Sequence, residues 1–189
     1  MTSPSTALIQ SLASQEIEVI FSLSGNQIMP LYDACLDANI RIIHTRHEGA
    51  AVYMAEAYAQ MTGKIGVALV TAGPGLLNAV SALYSAAQSE TPLLLISGDA
   101  ASNLDGRGAF QELSQISVTS PITKFSVRPT QSQDMLPALA AAMSTALGGT
   151  PGPVHLALPF DMLSASDACT PLPAIPRPKA SGLSPIQLD

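Results

Sequence analysis

The chain has 189 residues, 47% of them hydrophobic and only 12% charged, and a formal net charge of −6. That balance excludes disorder over most of its length, because the apolar surface suffices to offset the entropy of ordering it. The first Lys or Arg is Arg41, so no basic stripe for nucleic acid or anionic membrane and no basic leader is present, and no apolar run approaches the ~18 residues that span a bilayer.

Residues 6–16 place Leu8, Ile9, Leu12 and Ala13 at the helical period, with Ser3 or Ser5 as the cap. IEVIFSL (17–23) is short, β-branched and apolar, as a buried strand should be, and it ends at the turn Ser24-Gly25-Asn26. A helix is predicted over 28–38, a strand over 40–44, and a helix rich in Ala, Met and Glu over 48–61 that Gly63 stops. IGVALVT (65–71) is the clearest strand. It runs into Ala72-Gly73-Pro74-Gly75, and a helix follows over 76–89. PLLLIS (92–97) repeats the pattern and stops at Gly98-Asp99. Residues 99–121 are looser, with a short amphipathic piece at 110–116. An Ala-rich helix over 134–147 closes at Gly148-Gly149, and VHLAL (154–158) is a last strand before Pro159. Beyond Asp161 the composition turns Pro- and Ser-rich without period, so residues 1–163 are read as one domain and 164–189 as a linker or tail.

Apolar strands separated by helices imply an α/β fold, a doubly wound parallel sheet with helices on both faces and about six strands. In such sheets ligands gather at the carboxyl ends of the strands, near a switch in strand order. Scarce charge points to an outer surface partly covered by another subunit or domain. Cys35 and Cys169 are far apart and lack metal-ligand spacing; they are expected as a buried thiol and a tail thiol in a reducing, cytoplasmic compartment.

Common motifs fail one by one. Gly73-Pro74-Gly75 is no dinucleotide fingerprint, because Asn78 stands where the third Gly belongs, and there is no P-loop and no G-x-S-x-G. His44, His47 and His155 have no evident Ser or Cys partner, form no metal site with a Cys, and His155 is expected to be a packed strand residue. Arg46-His47-Glu48 follows a strand and opens a helix, where a carboxylate is favoured by the dipole and free amides. Taken alone, Glu48 reads as an ordinary helix-start acid and His47 as a surface residue.

The ordered combination is more specific. RHEGAAVYMAEAYAQMTGKIGVALVTAGPGLLNAVSALYSAAQSETPLLLISGD, then GRGAFQELSQISVTSPITKFSVRP, then GGTPGPVHLALPFDM, resembles the pyrimidine-binding domain of thiamine-diphosphate enzymes, acetolactate synthase most closely, over roughly residues 5–163. The resemblance implies thiamine diphosphate as cofactor, with Glu48 as the catalytic residue that bonds N1′ of the aminopyrimidine and activates the cofactor. Such a carboxyl group should be shielded from water. It further implies that Gly25, Asn26, Gly73, Pro74, Gly75 and Asn78 line the pyrimidine pocket. Phe110 and Gln111 would border the substrate channel, with Lys124 near it. Local alternatives stand beside these: Asn78 as a helix cap, Phe110 as core, Lys124 as a solvated strand end. The family's usual Pro-Gly-Gly is replaced here by Leu23-Ser24-Gly25-Asn26, which opens the substrate to another 2-oxo acid or acyl donor.

Diphosphate and Mg²⁺ belong, by the same resemblance, to a second domain with a Gly-Asp-Gly motif and downstream asparagines. Only Gly98-Asp99-Ala100 comes near that motif here, so no metal ligand is assigned and the chain is expected to be inactive alone. FAD, bound by many acetolactate synthases, enters as a further candidate cofactor. The expected partners are a diphosphate-binding domain of the same or a second chain, a second copy of this domain, and a small 2-oxo acid. Three readings stay open: the first domain of a longer decarboxylase or carboligase, a separate small subunit of a two-subunit decarboxylase, and a non-catalytic dimerisation module that kept the fold.

Overall fold

The computed structural model describes residues 2–175. Six strands, β1 (Val19–Ser22), β2 (Arg41–His44), β3 (Gly66–Val70), β4 (Leu93–Asp99), β5 (Phe125–Val127) and β6 (Pro153–Pro159), form one sheet in the order β2-β1-β3-β4-β6-β5. Every pairing is parallel. This is the doubly wound α/β arrangement expected from the sequence. The chain leaves β1 for one edge and returns on the other side of it as β3, so the switch in strand order lies between β1 and β3, where ligands collect in such sheets.

Burial explains why the strands read as unbroken apolar runs. β3, β4 and β6 are buried along their whole length, with helices on both faces. On one face α1 (Pro4–Ser14), α2 (Met29–Asp37) and α6 (Met135–Leu147) pack Leu8, Leu12, Leu31 and Leu139 against Ile20, Leu69, Leu94 and Leu156. On the other, α3 (Glu48–Thr62) and α4 (Pro74–Gln88) pack Val52, Leu76 and Leu83 against Phe21, Val70 and Leu95. Alternate residues of one strand serve opposite cores.

Local signals position these elements as the sequence suggested. Ser3 Oγ accepts from Thr6 N at 3.3 Å and caps α1. Gly63 closes α3 in the left-handed conformation, φ 67°. The looser region holds α5 (Gln115–Thr119) and short 3₁₀ turns at Ser102–Leu104 and Ser120–Ile122, and α7 (Phe160–Leu163) follows β6. The edge strand β5 had no signal of its own, since three residues are too few to show a period. Cys169, expected as a tail thiol, is instead 8% exposed. Its backbone exchanges hydrogen bonds with Thr2, at 3.1 and 2.9 Å. Leu172 N then donates to Ser11 Oγ and Ile175 N to Gln15 Oε1, so residues 169–175 run extended along α1. The remainder of the predicted tail, 176–189, lies outside the described residues.

Candidate functional site

Three loops meet at the carboxyl ends of β1, β2 and β3. The loop after β1 carries Gly25, Asn26 and Gln27, the turn after β2 leads into Glu48, and the loop after β3 carries Gly73-Pro74-Gly75. His47, extended at φ −157°, caps α3: its Nδ1 accepts from Gly49 N at 3.0 Å. Thr45 Oγ1 donates to His47 O at 3.0 Å and fixes the turn before the cap. Glu48 is thereby placed in the first helical turn, facing inward and only 7% exposed. A carboxylate there gains from the helix dipole and loses most of its water.

Asn78, one turn into α4, reaches across to Glu48. Its Nδ2 donates to Glu48 Oε2 at 2.9 Å, while the α4 cap position is taken by Gly73. Asn78 therefore serves the carboxylate and is no cap. The second oxygen, Oε1, faces Gly75, where an added Cβ would lie 3.5 Å from Oε1 and 2.7 Å from Thr71 Cγ2. Thr71 is also the wall behind Gly25, whose added Cβ would stand 2.4 Å from Thr71 Cβ. Glycine at 25 and 75 thus keeps backbone close to Thr71 and leaves Glu48 Oε1 an open cradle.

Thr71 Oγ1 donates in turn to Gln27 Oε1 at 2.7 Å, with Gln27 8% exposed. Thr71 and Gln27 were not singled out from the sequence. The rule that flagged Gly25 and Gly73, polar or small residues just after a strand, would have found both. Gln111 packs against Gly73, where an added Cβ would lie 2.7 Å from Gln111 O, and Gln111 itself sits in the left-handed region at φ 63°. Non-glycine residues held there cluster at functional sites. Phe110, beside it, is 73% exposed and is not core.

Lys124 is not brought to this cluster. It precedes β5, at the amino-terminal end of the parallel sheet, and its ammonium donates to Thr145 O and Gly148 O at 2.5 and 2.6 Å. His155 is fully buried as expected. Its Nε2 meets Ser97 Oγ at 2.8 Å and its Nδ1 meets Thr119 Oγ1 at 2.9 Å, and burial pushes its pKa down to about 3. Among the described residues no three His, Cys, Asp or Glu side chains converge to hold a metal, and no helix is long and apolar enough to cross a membrane.

This geometry, a buried helix-start glutamate facing a glycine cradle at a switch point, coincides with a sequence match. Residues 3–118 match the family model described as thiamine pyrophosphate enzyme, N-terminal TPP binding domain. The chain belongs to that family. Among curated relatives, the 2-hydroxyacyl-CoA lyase 2 of Homo sapiens is 45% identical over 152 residues, 80% of this chain and 24% of the relative. That of Danio rerio is 43% identical over 157 residues, 83% of this chain and 25% of the relative. The acetolactate synthase large subunit of Buchnera aphidicola is 40% identical over 161 residues, 85% of this chain and 28% of the relative. The chain therefore spans about a quarter of the length of the relatives it matches.

The cradle fits the ring end of the cofactor. One Glu48 oxygen is already bonded to Asn78, the other is left facing backbone that carries no side chain, and the carboxyl group itself is buried. A ring nitrogen needs such an acceptor, and a flat ring needs such a wall.

Proposed function

We propose that this chain binds the aminopyrimidine ring of thiamine diphosphate, and that Glu48 activates the cofactor within an enzyme that makes or breaks a carbon–carbon bond beside a carbonyl. The carrying observation is Glu48 itself, buried and tethered by Asn78, with Oε1 open to the cradle. When bound, thiamine diphosphate supplies a nucleophilic ring carbon that adds to the substrate carbonyl. This chain's own residues have simpler tasks. Glu48 Oε1 would exchange a proton with the ring nitrogen, Asn78 fixes the other carboxyl oxygen, and Thr71 packs against the two glycine backbones that bound the pocket. Gly25, Asn26, Gly73, Pro74 and Gly75 line it, while Phe110 and Gln111 border the substrate approach.

The leading reading is the first domain of a 2-oxo-acid decarboxylase or carboligase of the acetolactate-synthase type. A second, 2-hydroxyacyl-CoA cleavage, draws on the higher identity to the lyases, 42–45% against 38–40% for the synthases. In both, the diphosphate and Mg²⁺ are assigned to a further domain or a second chain, so this chain alone turns nothing over. FAD remains a candidate of the synthase reading. A cytoplasmic setting fits the two unpaired thiols. A second copy is expected on the outer face of α3 and α4, where Tyr53, Met54, Met61, Leu77 and Tyr84 are exposed and no charged residue stands among them.

The test pairs this chain with its diphosphate-binding domain, Mg²⁺ and thiamine diphosphate, and follows CO₂ release from 2-oxo acids and cleavage of 2-hydroxyacyl thioesters. Glu48→Gln keeps the shape and removes the proton exchange, and is expected to lower kcat/KM by about 10²–10⁴-fold. Full activity of Glu48→Gln would sink the assignment.

A further inference from the structure

Between β4 and α5 the chain runs through residues 100–114, and one side chain closes the middle of that loop on itself. Glu112 Oε1 accepts from Gly106 N at 2.6 Å, and its Oε2 accepts from Gly108 N and Ala109 N at 2.9 and 3.0 Å. Glu112 N donates back to Ala109 O at 3.0 Å. Gly106 and Gly108 are left-handed, φ 73° and 72°, and a Cβ added at either would meet nothing within 4 Å. Glycine is needed there for backbone conformation and not for space, and the turn it permits aims three amides at one carboxylate.

A charged acceptor makes a stronger bond to N–H than a neutral one, and the amide bonds, Gly106 first, hold the Glu112 carboxyl below its usual range. The base of the loop is fastened separately. Arg128 donates to Asp99 Oδ2 at 2.6 Å and to the two oxygens of Asp105 at 2.8 and 3.0 Å, and Asp161 accepts from Ser102 N at 2.9 Å. Glu112 ties the far part, residues 106–111. Its chain neighbour Gln111 is where that part meets the cofactor cradle: a Cβ added at Gly73 would lie 2.7 Å from Gln111 O and 3.1 Å from Gln111 Cβ. Gln111 is itself left-handed, φ 63°. A non-glycine residue stays in that region only where its surroundings over-determine it. Here the surroundings are a ring of chain closed by Glu112, through its backbone to Ala109 and through its carboxylate to the three amides.

We propose that Glu112 is a positioning residue for the cofactor site: its carboxylate draws residues 106–112 into a closed turn, and that turn holds the left-handed Gln111 with its backbone against Gly73. The service to the cradle rests on the thiamine-diphosphate reading above; the tie between Glu112 and the three amides does not. With the tie made, the loop is ordered before cofactor and substrate arrive. Without it, the binding-competent arrangement is only a fraction of the population, and apparent affinity falls in proportion to that fraction. The loss therefore falls on Kd and KM more than on kcat. Charge and acceptor character make the tie, not size: Glu112→Gln turns an NH₂ group toward an amide where the carboxylate presents an oxygen.

The experiment compares the parent with Glu112→Gln and Glu112→Ala in the assembled enzyme, with its diphosphate-binding domain and Mg²⁺. Arg107 sits inside the tied segment, so trypsin cleavage after it reads the state of the loop without any turnover. Glu112→Gln is expected to raise the thiamine diphosphate Kd, and the KM for the 2-oxo acid or 2-hydroxyacyl thioester that is turned over, by about 10-fold. Its kcat should stay within about 3-fold of the parent, and cleavage after Arg107 should be about 10-fold faster. Formate, which supplies a carboxylate to the three amides, is expected to restore Glu112→Ala toward the parent and to leave Glu112→Gln unchanged. Parental Kd and KM in Glu112→Gln overturn the proposal, whatever the cleavage rate. A fall in kcat and melting temperature that formate does not reverse in Glu112→Ala overturns it as well, since that marks a residue supporting the fold alone. If thiamine diphosphate does not bind the parent, the cofactor reading fails, and cleavage alone decides the tie. Faster cutting of Glu112→Ala that formate slows sustains it; cutting at the parent's rate ends it.

Discussion

Glu48 and His155 are both buried polar side chains, yet their surroundings suit opposite tasks. Glu48 has one oxygen bonded to Asn78 and the other facing Gly75, where no side chain fills the space, so it can still accept a bond. His155 has both ring nitrogens occupied by hydroxyls, Ser97 on one and Thr119 and Ser126 on the other, with nothing left to offer. An unfolded imidazole takes up its proton near 6.5, whereas burial defers this to about 3 in the folded chain. Between those values the unfolded chain binds more protons, so stability falls as pH drops from about 6.5 toward 3, by at most about 1.4 kcal/mol per unit, and this group contributes no slope above that window. His155→Gln should therefore lose less melting temperature than the parent between about pH 7 and about pH 4.5. Equal losses would show that another group governs the acid limb.

At the scale of elements, α3 is the device that aims Glu48, and its seat on the sheet is unusually close. A Cβ added at Gly66, the first residue of β3, would lie 2.1 Å from the Ala55 carbonyl oxygen in the middle of α3. Backbone is the obstacle, so the helix would have to move as a body. Gly66→Ala is expected to cost about 1–3 kcal/mol of stability and to tilt α3 away from Asn78. Thermal unfolding reads the first effect, and thiamine diphosphate affinity of the assembled enzyme reads the second. A variant as stable as the parent would mean that the close approach is not maintained in solution. The tail adds a second lesson at this scale. Its Pro-rich composition suggests a free linker, but residues 169–175 are anchored through Thr2, Ser11 and Gln15. Composition reports the absence of period and cannot report a neighbour.

Across the whole molecule, the low charged fraction finds its place on one surface. α4 carries no charged residue, and both acids of α3, Glu48 and Glu56, turn inward, 7% exposed each. What faces outward is Tyr53, Met54, Met61, Leu77 and Tyr84. An apolar helix pair of this kind is costly to leave in water. Sedimentation of the protein is expected to give a dimer, and Met54→Glu with Tyr84→Glu to give a monomer of unchanged secondary structure. A monomeric parent would refute the pairing.

The sequence by itself determined the fold class, the order of the elements to within a few residues, and the place of Glu48 at a helix start. Each of these rests on local physics: apolar runs for buried strands, caps and glycines at helix ends, and a motif read along one stretch. β5 escaped because three residues of an edge strand carry too little pattern. The contacts that turn Glu48 into a site were also beyond it. Asn78 lies 30 residues from Glu48 and Thr71 lies 44 residues from Gln27 in the chain, and the crossover between β1 and β3 folds them together. Lys124 stays at the opposite end of the sheet, because in a parallel sheet the residue before a strand and the residue after it lie at opposite ends.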